Sequence, residues 1–319
     1  MLARRRHCER GVGFPDLAAR RRGWLRRSSR AVPGVVWIRP WVEPPLQCSV
    51  MDRLPGTHFL RHLIERRSLL FQLVRRDFEQ RFVGSAAGWL WGVIHPLVLL
   101  ASWTFVFQTC LRIRLPASEI TENYTLFLFA GFLPWLLFQD TVQRSAASLL
   151  DHKNLITKTM FPSEIVPVSI FLSSLVNHLI ALAVAAAAIA FWAKHFSLMM
   201  FVLPVYMFLL GLFAIGLGWI VSSLNVYLRD TAHVLLVALT AWFWLTPIFI
   251  TKEQIPPHLW GLIRLNPMTH FVEAYRERLL SNWPVNLREL GALAAASLLT
   301  FVLGGLFFRH LKRGFADVL

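Results

Sequence analysis

The chain has 319 residues, of which 55% are hydrophobic and only 16% are charged, and its mean hydropathy is +0.51. Soluble domains average ~45–50% apolar and ~25% charged residues, so these values exclude a disordered chain and argue against a soluble globular domain. The net charge of +15 alone suggests a nucleic-acid-binding protein. The positions of the charges decide against that interpretation.

The charge excess is concentrated at the amino terminus. Residues 1–50 contain eleven Arg and three acidic residues, a net charge of +8, whereas residues 51–319 contain 22 basic and 15 acidic residues, a net charge of +7. The first fifty residues show no helical or strand periodicity and are interrupted by five prolines. We interpret them as a basic leader that is either disordered or an over-extended start, with Met51 as the natural first residue. A basic tail that binds a membrane surface or nucleic acid is the alternative.

Six stretches are long and apolar enough to cross a membrane, because a helix needs roughly 20 mostly apolar residues to span a hydrocarbon core of ~30 Å. They cover about residues 86–111, 124–147, 165–192, 198–224, 231–250 and 290–308. The sequence therefore predicts an all-α integral membrane protein whose transmembrane domain, residues 85–319, has six transmembrane helices. An even number of spans places both termini on one side. Counted from Met51, that side carries 14 Lys and Arg against 8 on the other, which predicts cytoplasmic termini.

Residues 51–84 precede the first span and contain an amphipathic pattern from Thr57 to Arg81. Apolar residues recur there at helical spacing, and the charges fall largely on the other side. The apolar positions are Leu60, Leu63, Ile64, Phe71, Val74 and Phe78. We expect a cytoplasmic interface helix that lies along the membrane surface, and a soluble helix packed beneath the bundle is the alternative.

Residues 251–289, between the fifth and sixth spans, are broken by prolines and yet half apolar. Half-apolar segments too short to span are typical of re-entrant or interfacial helices. The sequence therefore predicts short re-entrant helices before the last span.

Motifs for nucleotide, metal and nucleophilic chemistry are absent from the sequence. It contains no G-x-x-x-x-G-K-[ST], so it has no P-loop, and no H-E-x-x-H, G-x-S-x-G or C-x-x-C. The three cysteines show neither a disulfide framework nor a zinc-binding spacing. His95, Asp140 and His178 are ionisable groups within the predicted spans, where such groups are functional candidates by default. No series of carboxylates and histidines forms a proton relay, so we interpret the three as structural.

Tryptophans are frequent in or near the predicted spans. Their usual roles are anchoring at the membrane interface and packing in the core. An aromatic face also holds a sugar, because pyranose C–H bonds carry slight positive charge and stack on the negative face of the ring. Composition leaves both roles open for Trp89, Trp91, Trp103, Trp135, Trp242 and Trp244.

Four segments together, in this order and spacing, resemble the membrane subunits of ABC-2-type exporters, specifically the polysaccharide and O-antigen export permeases. They are RRDFEQRFVGSAAGWLWGVIHPLVLL (75–100), NLITKTMFPSEIVPVS (154–169), LNVYLRD with FWLTPI (224–230 and 243–248) and NPMTHFVEAYR (266–276). That family has six spans, an amphipathic interface helix and re-entrant helices before the last span. Its chains usually begin near the position of Met51.

The resemblance implies a permease subunit of an ATP-driven exporter that moves a lipid-linked polysaccharide across the bacterial inner membrane. The glycan would be an O-antigen, a capsule or a teichoic-acid-like polymer. Two copies would enclose a channel between membrane lipids, and separate P-loop ATPase subunits, which carry ATP and Mg²⁺, would dock from the cytoplasm. We expect no catalytic residue, metal, cofactor or nucleic-acid partner on this chain. The rival functions are an ABC-2 exporter of a drug or small lipid, a proton-coupled carrier, and a membrane-embedded enzyme that processes glycans or lipids.

The resemblance also implies roles for individual residues. The loop after the second span would be the coupling helix that the ATPase moves, with Asp151, Lys153, Asn154 and Lys158 exposed on it. Residues of the interface helix would make a second contact with the ATPase or bind the lipid headgroup, because basic residues beside the cytoplasmic leaflet suit a pyrophosphate. These residues are Arg75, Arg76, Asp77 and Arg81. The six tryptophans named above would line the substrate channel.

Overall fold

A computed structural model of the chain describes residues 67–82, 85, 88–116, 120–158, 161–192 and 197–315, which form helices and connecting loops without a strand. The predicted leader, residues 1–50, and the first part of the amphipathic helix lie outside the described residues. So do the side chains of Trp89 and Lys158.

The helices follow one another as short and long segments joined by brief loops. In chain order they are α1 Arg67–Phe82, α2 Trp91–Thr104, α3 Tyr124–Asp151, α4 Lys153–Lys158, α5 Ile165–Trp192, α6 Leu203–Tyr227, α7 Thr231–Leu245, α8 Pro257–Arg264, α9 Pro267–Leu280 and α10 Leu287–Leu311. A π-helix, Phe105–Cys110, extends α2, and a 3-10 turn, Leu198–Val202, precedes α6.

Five helical segments are long and apolar enough to cross a membrane. They are Trp91–Cys110, Tyr124–Asp151, Ile165–Phe191, Leu198–Tyr227 and Leu287–Gly314. These segments correspond to the first four predicted spans and the last one, which confirms a multi-pass membrane protein. The predicted fifth span contains α7, an apolar helix of 15 residues. A helix of that length is about 22 Å long, shorter than a hydrocarbon core of about 30 Å.

Local sequence explains where several helices begin. The side chains of Asn123, Asn266 and Asn286 accept hydrogen bonds from backbone N–H groups in the first turns of α3, α9 and α10. Such caps satisfy donors that have no partner within the helix. Helices α8 and α9 also carry proline in the first turn, where the missing N–H costs nothing.

Long-range hydrogen bonds define two ends of the helix bundle. At the α4 end, the side chain of Asn225, close to the end of α6, donates to the carbonyl oxygen of Ala146 near the end of α3 at 2.9 Å. At the α9 end, the Tyr124 hydroxyl at the start of α3 donates to the carbonyl oxygen of Phe249, after α7, at 2.9 Å. Helices α8 and α9, which lie between α7 and α10 in the chain, belong to this second end.

Helix α3 is the centre of the bundle. Its most apolar stretch is 78% buried, and it packs against α5, α6, α7 and α9. The corresponding stretches of α2 and α10 are only 11% and 17% buried, so both helices lie at the periphery with apolar faces exposed.

Helix α1 packs against α5 with one face and leaves the other open. Leu70 and Leu73 pack against the bundle, whereas Phe71 is 68% exposed. The sequence pattern groups Asp77 with the outward charges, but the structure turns Asp77 toward α3, where it pairs with Arg144. An ion pair between two helices is a tertiary contact, and the periodicity of one helix cannot register it.

Candidate functional site

A cavity of about 490 Å³ lies between α2, α3, α5 and α7 and reaches the last turn of α1. Its lining combines aromatic rings, uncharged polar groups and one ion pair. The main lining residues are Trp91, Trp103, Phe132, Phe243, Gln139, Gln143, Asn177, His178, Ser174, Asp140 and Arg81. The size is that of a pocket for a small organic ligand or a few sugar rings.

The aromatic wall of the cavity is held in place by ring contacts. Trp103 packs edge-on against Phe132, with ring centroids 4.5 Å apart, and against Phe249 at 5.1 Å. Phe243 lies tilted against Trp103 at 5.3 Å. Because these rings fix one another, they present a preformed apolar surface rather than one that a ligand must assemble.

The polar side of the cavity contains an amide without a partner. The side-chain oxygen of Asn177 is buried and accepts no hydrogen bond from any group that the structure describes. The next residue, His178, is instead engaged, since its Nε2 lies 3.1 Å from the Tyr275 hydroxyl of α9. This oxygen has no contact with solvent in the structure, although Asn177 belongs to the cavity lining.

A charged cluster lines the cavity at the α4 end. Arg81 of α1 donates to a carboxylate oxygen of Asp140 on α3 at 2.7 Å and to the Ser174 hydroxyl on α5 at 2.9 Å. The Ser174 hydroxyl in turn donates to Asp140 at 2.6 Å. Beside them, Arg144 of α3 is paired with Asp77 of α1. Two carboxylates balance two guanidinium groups, so the cluster is neutral and joins three helices.

The predicted residues of the interface helix are therefore divided between two environments. Asp77 and Arg81 face the bundle, whereas Arg76 is exposed and Arg75 forms an exposed ion pair with Glu79 at 2.7 Å. Of the predicted headgroup ligands, Arg81 already has a carboxylate partner in this state.

The predicted coupling region forms a separate short helix. Helix α4 begins at Lys153, directly after α3 ends at Asp151 with His152 as its C-cap. Asp151, Lys153 and Asn154 are exposed. A docking role for these residues stays a prediction.

Two of the predicted channel tryptophans line the cavity. Trp91 is 53% exposed and Trp103 is half-buried, and both belong to the lining. Trp135 is fully buried in the core, where its N–H donates to the side chain of Gln139 at 2.6 Å. Trp135 is therefore placed where it packs the bundle rather than at the cavity surface.

Trp242 and Trp244, the other two predicted channel tryptophans whose side chains are described, lie toward the α9 end. The N–H of Trp242 donates to the side-chain oxygen of Asn266 at 2.8 Å, which ties α7 to the start of α9. Trp244 is 61% exposed and stacks on Phe249 with ring centroids 5.3 Å apart.

The sequence patterns do not identify three of the cavity and cluster residues, Arg144, Ser174 and Asn177. Only Arg144 left a signal that could have revealed it. It lies four residues after Asp140 within a mostly apolar helix, and a pair of opposite charges at that spacing inside a predicted span marks a site that must be paired. Ser174 and Asn177 are ordinary polar residues whose importance depends on what they face.

The helical bundle with five membrane-spanning segments and an aromatic and polar cavity defines a multi-pass membrane protein. Residues 68–280 match the family model described as ABC-2 type transporter. This match covers two thirds of the 319 residues, and the chain belongs to the ABC-2 type transporter family.

Relatives within this family extend the comparison. The chain is 27% identical over 260 residues to the O-antigen export system permease protein RfbA of Myxococcus xanthus, covering 81% of this chain and 98% of the relative. It is 22% identical over 240 residues to the polysialic acid transport protein KpsM of Escherichia coli, covering 74% and 91%. It is 23% identical over 233 residues to the capsule polysaccharide export inner-membrane protein CtrC of Neisseria meningitidis, covering 71% and 84%.

Proposed function

We propose that this chain is the permease subunit of an ATP-driven exporter that moves a lipid-linked polysaccharide, of the O-antigen or capsule type, across the bacterial inner membrane. The observation that carries the proposal is similarity along nearly the whole of an O-antigen export permease, 98% of its length. The polysaccharide transport proteins KpsM and CtrC are similar over 91% and 84% of theirs. The alignment with the O-antigen export permease covers 260 residues and is longer than the family match over residues 68–280.

The chemistry of the cavity supports a carbohydrate substrate. Trp91, Trp103 and Phe243 offer ring faces for the C–H surface of sugars. Stacking holds a sugar without many directed hydrogen bonds, so a polymer can advance from one ring to the next.

The ATPase belongs to a separate chain, because this sequence has no P-loop. ATP and Mg²⁺ bind to that partner. Helix α4 suits its docking, since Asp151, Lys153 and Asn154 are exposed and α3 leads directly from α4 to the bundle centre. A second copy of the chain completes the channel, and the peripheral helix α2 offers an apolar face for it.

The topology follows from the two ends of the bundle. Helix α7 begins beside Asn225, whose side chain accepts from the Ala232 N–H at 3.3 Å, and ends beside Asn266. These contacts support α7 as a sixth crossing from the α4 end to the α9 end, with α8 and α9 as re-entrant helices. The α4 end faces the cytoplasm together with both termini.

Deletion and copurification test this function. We expect a strain without this chain to lose surface glycan and to accumulate lipid-linked glycan inside, and the full chain to restore export. Affinity capture of the full chain should bring a P-loop ATPase, and proteoliposomes of the complex should move glycan only with ATP. Unchanged surface glycan together with increased sensitivity to small toxic compounds would instead identify a drug exporter.

A further inference from the structure

The four charges at the α4 end of the cavity have an arrangement with two possible pairings. Asp77 and Arg81 are four residues apart on α1, and Asp140 and Arg144 are four residues apart on α3. Residues four apart on a helix are neighbours on its surface. Each charge therefore has one opposite partner on its own helix and another on the facing helix.

The pairs between the helices are closed in this structure, and the pairs within each helix are open. Arg81 lies 2.7 Å from Asp140, and Arg144 is hydrogen-bonded to Asp77. The distance from Arg81 Nε to Asp77 Oδ2 is 3.9 Å, and that from Arg144 Nη1 to Asp140 Oδ2 is also 3.9 Å. Both distances are too long for a hydrogen bond but short enough for a small rotation to close.

The buried polar atoms left over in the cluster are the atoms that the other pairing uses. Asp77 Oδ2, Arg81 Nε and Arg144 Nη1 are buried and have no hydrogen-bond partner among the residues that the structure describes. A buried polar atom without a partner is rare, because it forfeits its bond to water. Pairing within each helix would give all three of these atoms a partner.

We propose that this cluster is a partner-exchange switch that connects and releases the interface helix α1. In the connected state, Arg81 pairs with Asp140 and Arg144 with Asp77. In the released state, Arg81 pairs with Asp77 and Arg144 with Asp140, so that α1 is free to move away from α3. The hydroxyl group of Ser174 on α5 can accept a hydrogen bond from Arg81 or donate one to Asp140 in either state.

The exchange is feasible because no charge loses its partner. Separating two paired charges in an apolar environment leaves both uncompensated, which is strongly unfavourable. Here each of the four charges leaves one opposite charge for another, and the two states therefore have similar electrostatic energy. A transport cycle needs a two-state element of this kind, because it converts a small helix displacement into a change between two defined conformations.

The position of the switch connects it to the proposed transport function, on which this part of the inference rests. Arg81 and Asp140 line the cavity, so release of α1 opens the cavity at the α4 end. Asp140 and Arg144 lie on α3, which ends at Asp151 where the coupling helix α4 begins. Movement of α4 by an ATPase therefore reaches the switch through one continuous helix.

Charge swaps separate the two states. The locked variant, Asp77→Arg with Arg144→Asp, makes α1 doubly positive and α3 doubly negative at the cluster, which keeps the pairs between helices and makes both pairs within a helix repulsive. The released variant, Asp77→Arg with Arg81→Asp, keeps attraction within each helix and makes both contacts between helices repulsive. The full swap combines all four reversals: Asp77→Arg, Arg81→Asp, Asp140→Arg and Arg144→Asp. It restores attraction both between and within the helices and serves as the matched control.

The distance between α1 and α3 is the first measurement. Spin labels on the exposed positions Gln80 and Ala147, introduced as Gln80→Cys and Ala147→Cys in a chain whose own cysteines are replaced by serine, report it in lipid nanodiscs. We expect the released variant to show a separation about 2 Å or more longer than the locked variant. The wild type and the full swap should populate both distances. Equal distances in the locked and released variants would overturn the switch.

Glycan export by the complex with its ATPase is the second measurement. We expect the locked variant to assemble with the ATPase and to lose at least tenfold in ATP-dependent export. Wild-type export by the locked variant, which retains its pairs between helices, would show that the cluster is only a structural link and would overturn the switch. The nanodisc distances require no ATPase. If they differ as expected while the wild type exports no glycan, the switch stands and the proposed function falls.

Discussion

The guanidinium group of Arg276 lies over the ring of Phe127, with its central carbon 3.6 Å from the ring centroid. It also donates hydrogen bonds to the carbonyl oxygens of Pro247 and Ile248, so one side chain ties α9 to α3 and to the segment after α7. A Cβ at Gly131 would lie 2.8 Å from this guanidinium group, which explains why glycine stands there. Arg276 is 5% exposed and holds the α9 end of the bundle together.

Arg276→Met is expected to destabilise the protein strongly. It removes the donor from three backbone carbonyl groups, those of Phe127, Pro247 and Ile248. Each buried group left without a partner costs about 1–3 kcal/mol. Thermal unfolding in detergent should show a lower midpoint. Arg264→Met, at an exposed position on α8, is the matched control and should stay within about 0.5 kcal/mol of wild type. Equal midpoints for the two variants would contradict the structural role of Arg276.

Gly304→Ala should separate α10 from α6. A Cβ at Gly304 would lie 2.2 Å from the carbonyl oxygen of Gly216, a distance that real side chains do not adopt. Small residues at such a crossing allow the backbones of membrane helices to approach closely. Overpacking of this kind costs typically about 1–3 kcal/mol.

The same helix provides the control for this substitution. A Cβ at Gly291 of α10 would meet nothing within 4 Å. Gly291→Ala should therefore be neutral or stabilise the helix by up to about 1 kcal/mol, because alanine favours helix more than glycine. Unfolding in detergent distinguishes the two, and a normal midpoint for Gly304→Ala would show that the helices are not held this closely.

Trp91→Ala should impair glycan export while assembly remains normal. Trp91 is 53% exposed and lines the cavity, so its removal takes away a ring face for sugars more than it disturbs packing. Trp135→Ala is the matched comparison. Trp135 is fully buried, and truncating such a side chain costs about 3–5 kcal/mol. Export assays normalised to folded protein should separate the two substitutions, and an equal loss of folding in both would assign Trp91 to packing.

Asp151→Lys with Lys153→Glu should weaken docking of the ATPase. Both side chains are exposed at the junction of α3 and α4. Reversing their charges places each opposite a like charge on an ATPase surface that is complementary to the wild type. A loss of about 1.4 kcal/mol corresponds to tenfold weaker binding. The amount of ATPase captured with the permease measures the effect. Arg288→Glu, exposed at the α9 end, is the control, and an equal loss there would remove the assignment of α4 as the docking site.

Glu273→Gln should change how stability depends on pH. Burial raises the pKa of Glu273 on α9 above its ordinary value of 4.5, an effect that nearby His270 and Arg276 oppose. The folded protein therefore binds this proton more tightly than the unfolded chain does. The free energy of unfolding falls as the pH rises from 4.5 through the folded pKa.

The glutamine variant removes that loss, so it should be more stable than wild type at neutral pH and lose less stability between acid and neutral pH. Unfolding in detergent at several pH values measures the difference. Glu122→Gln, at an exposed position, is the surface control. A wild-type pH dependence in Glu273→Gln would show that this carboxyl group is not responsible.

The sequence predicted the helical membrane class, the approximate limits of five spans and the family. Hydrophobic length is a local property, because a span must contain enough apolar residues in one stretch to cross the lipid. Family motifs are local as well, and their residues prove to be helix caps and inter-helix ties. Asn266 caps α9 and accepts a hydrogen bond from the Trp242 N–H. Arg276 packs its guanidinium group over the ring of Phe127 on α3.

Tertiary structure alone decided which of these residues meet. Trp103 and Trp135 both lie in apolar helical sequence, but Trp103 lines the cavity and Trp135 is fully buried in the core. Their exposure differs because it depends on which helices pack nearby. Asp77 and Arg144 are 67 positions apart, and no periodicity connects them. The sequence required that charges in apolar helices find partners, and only the packing of α1 against the bundle decided that each charge would have two.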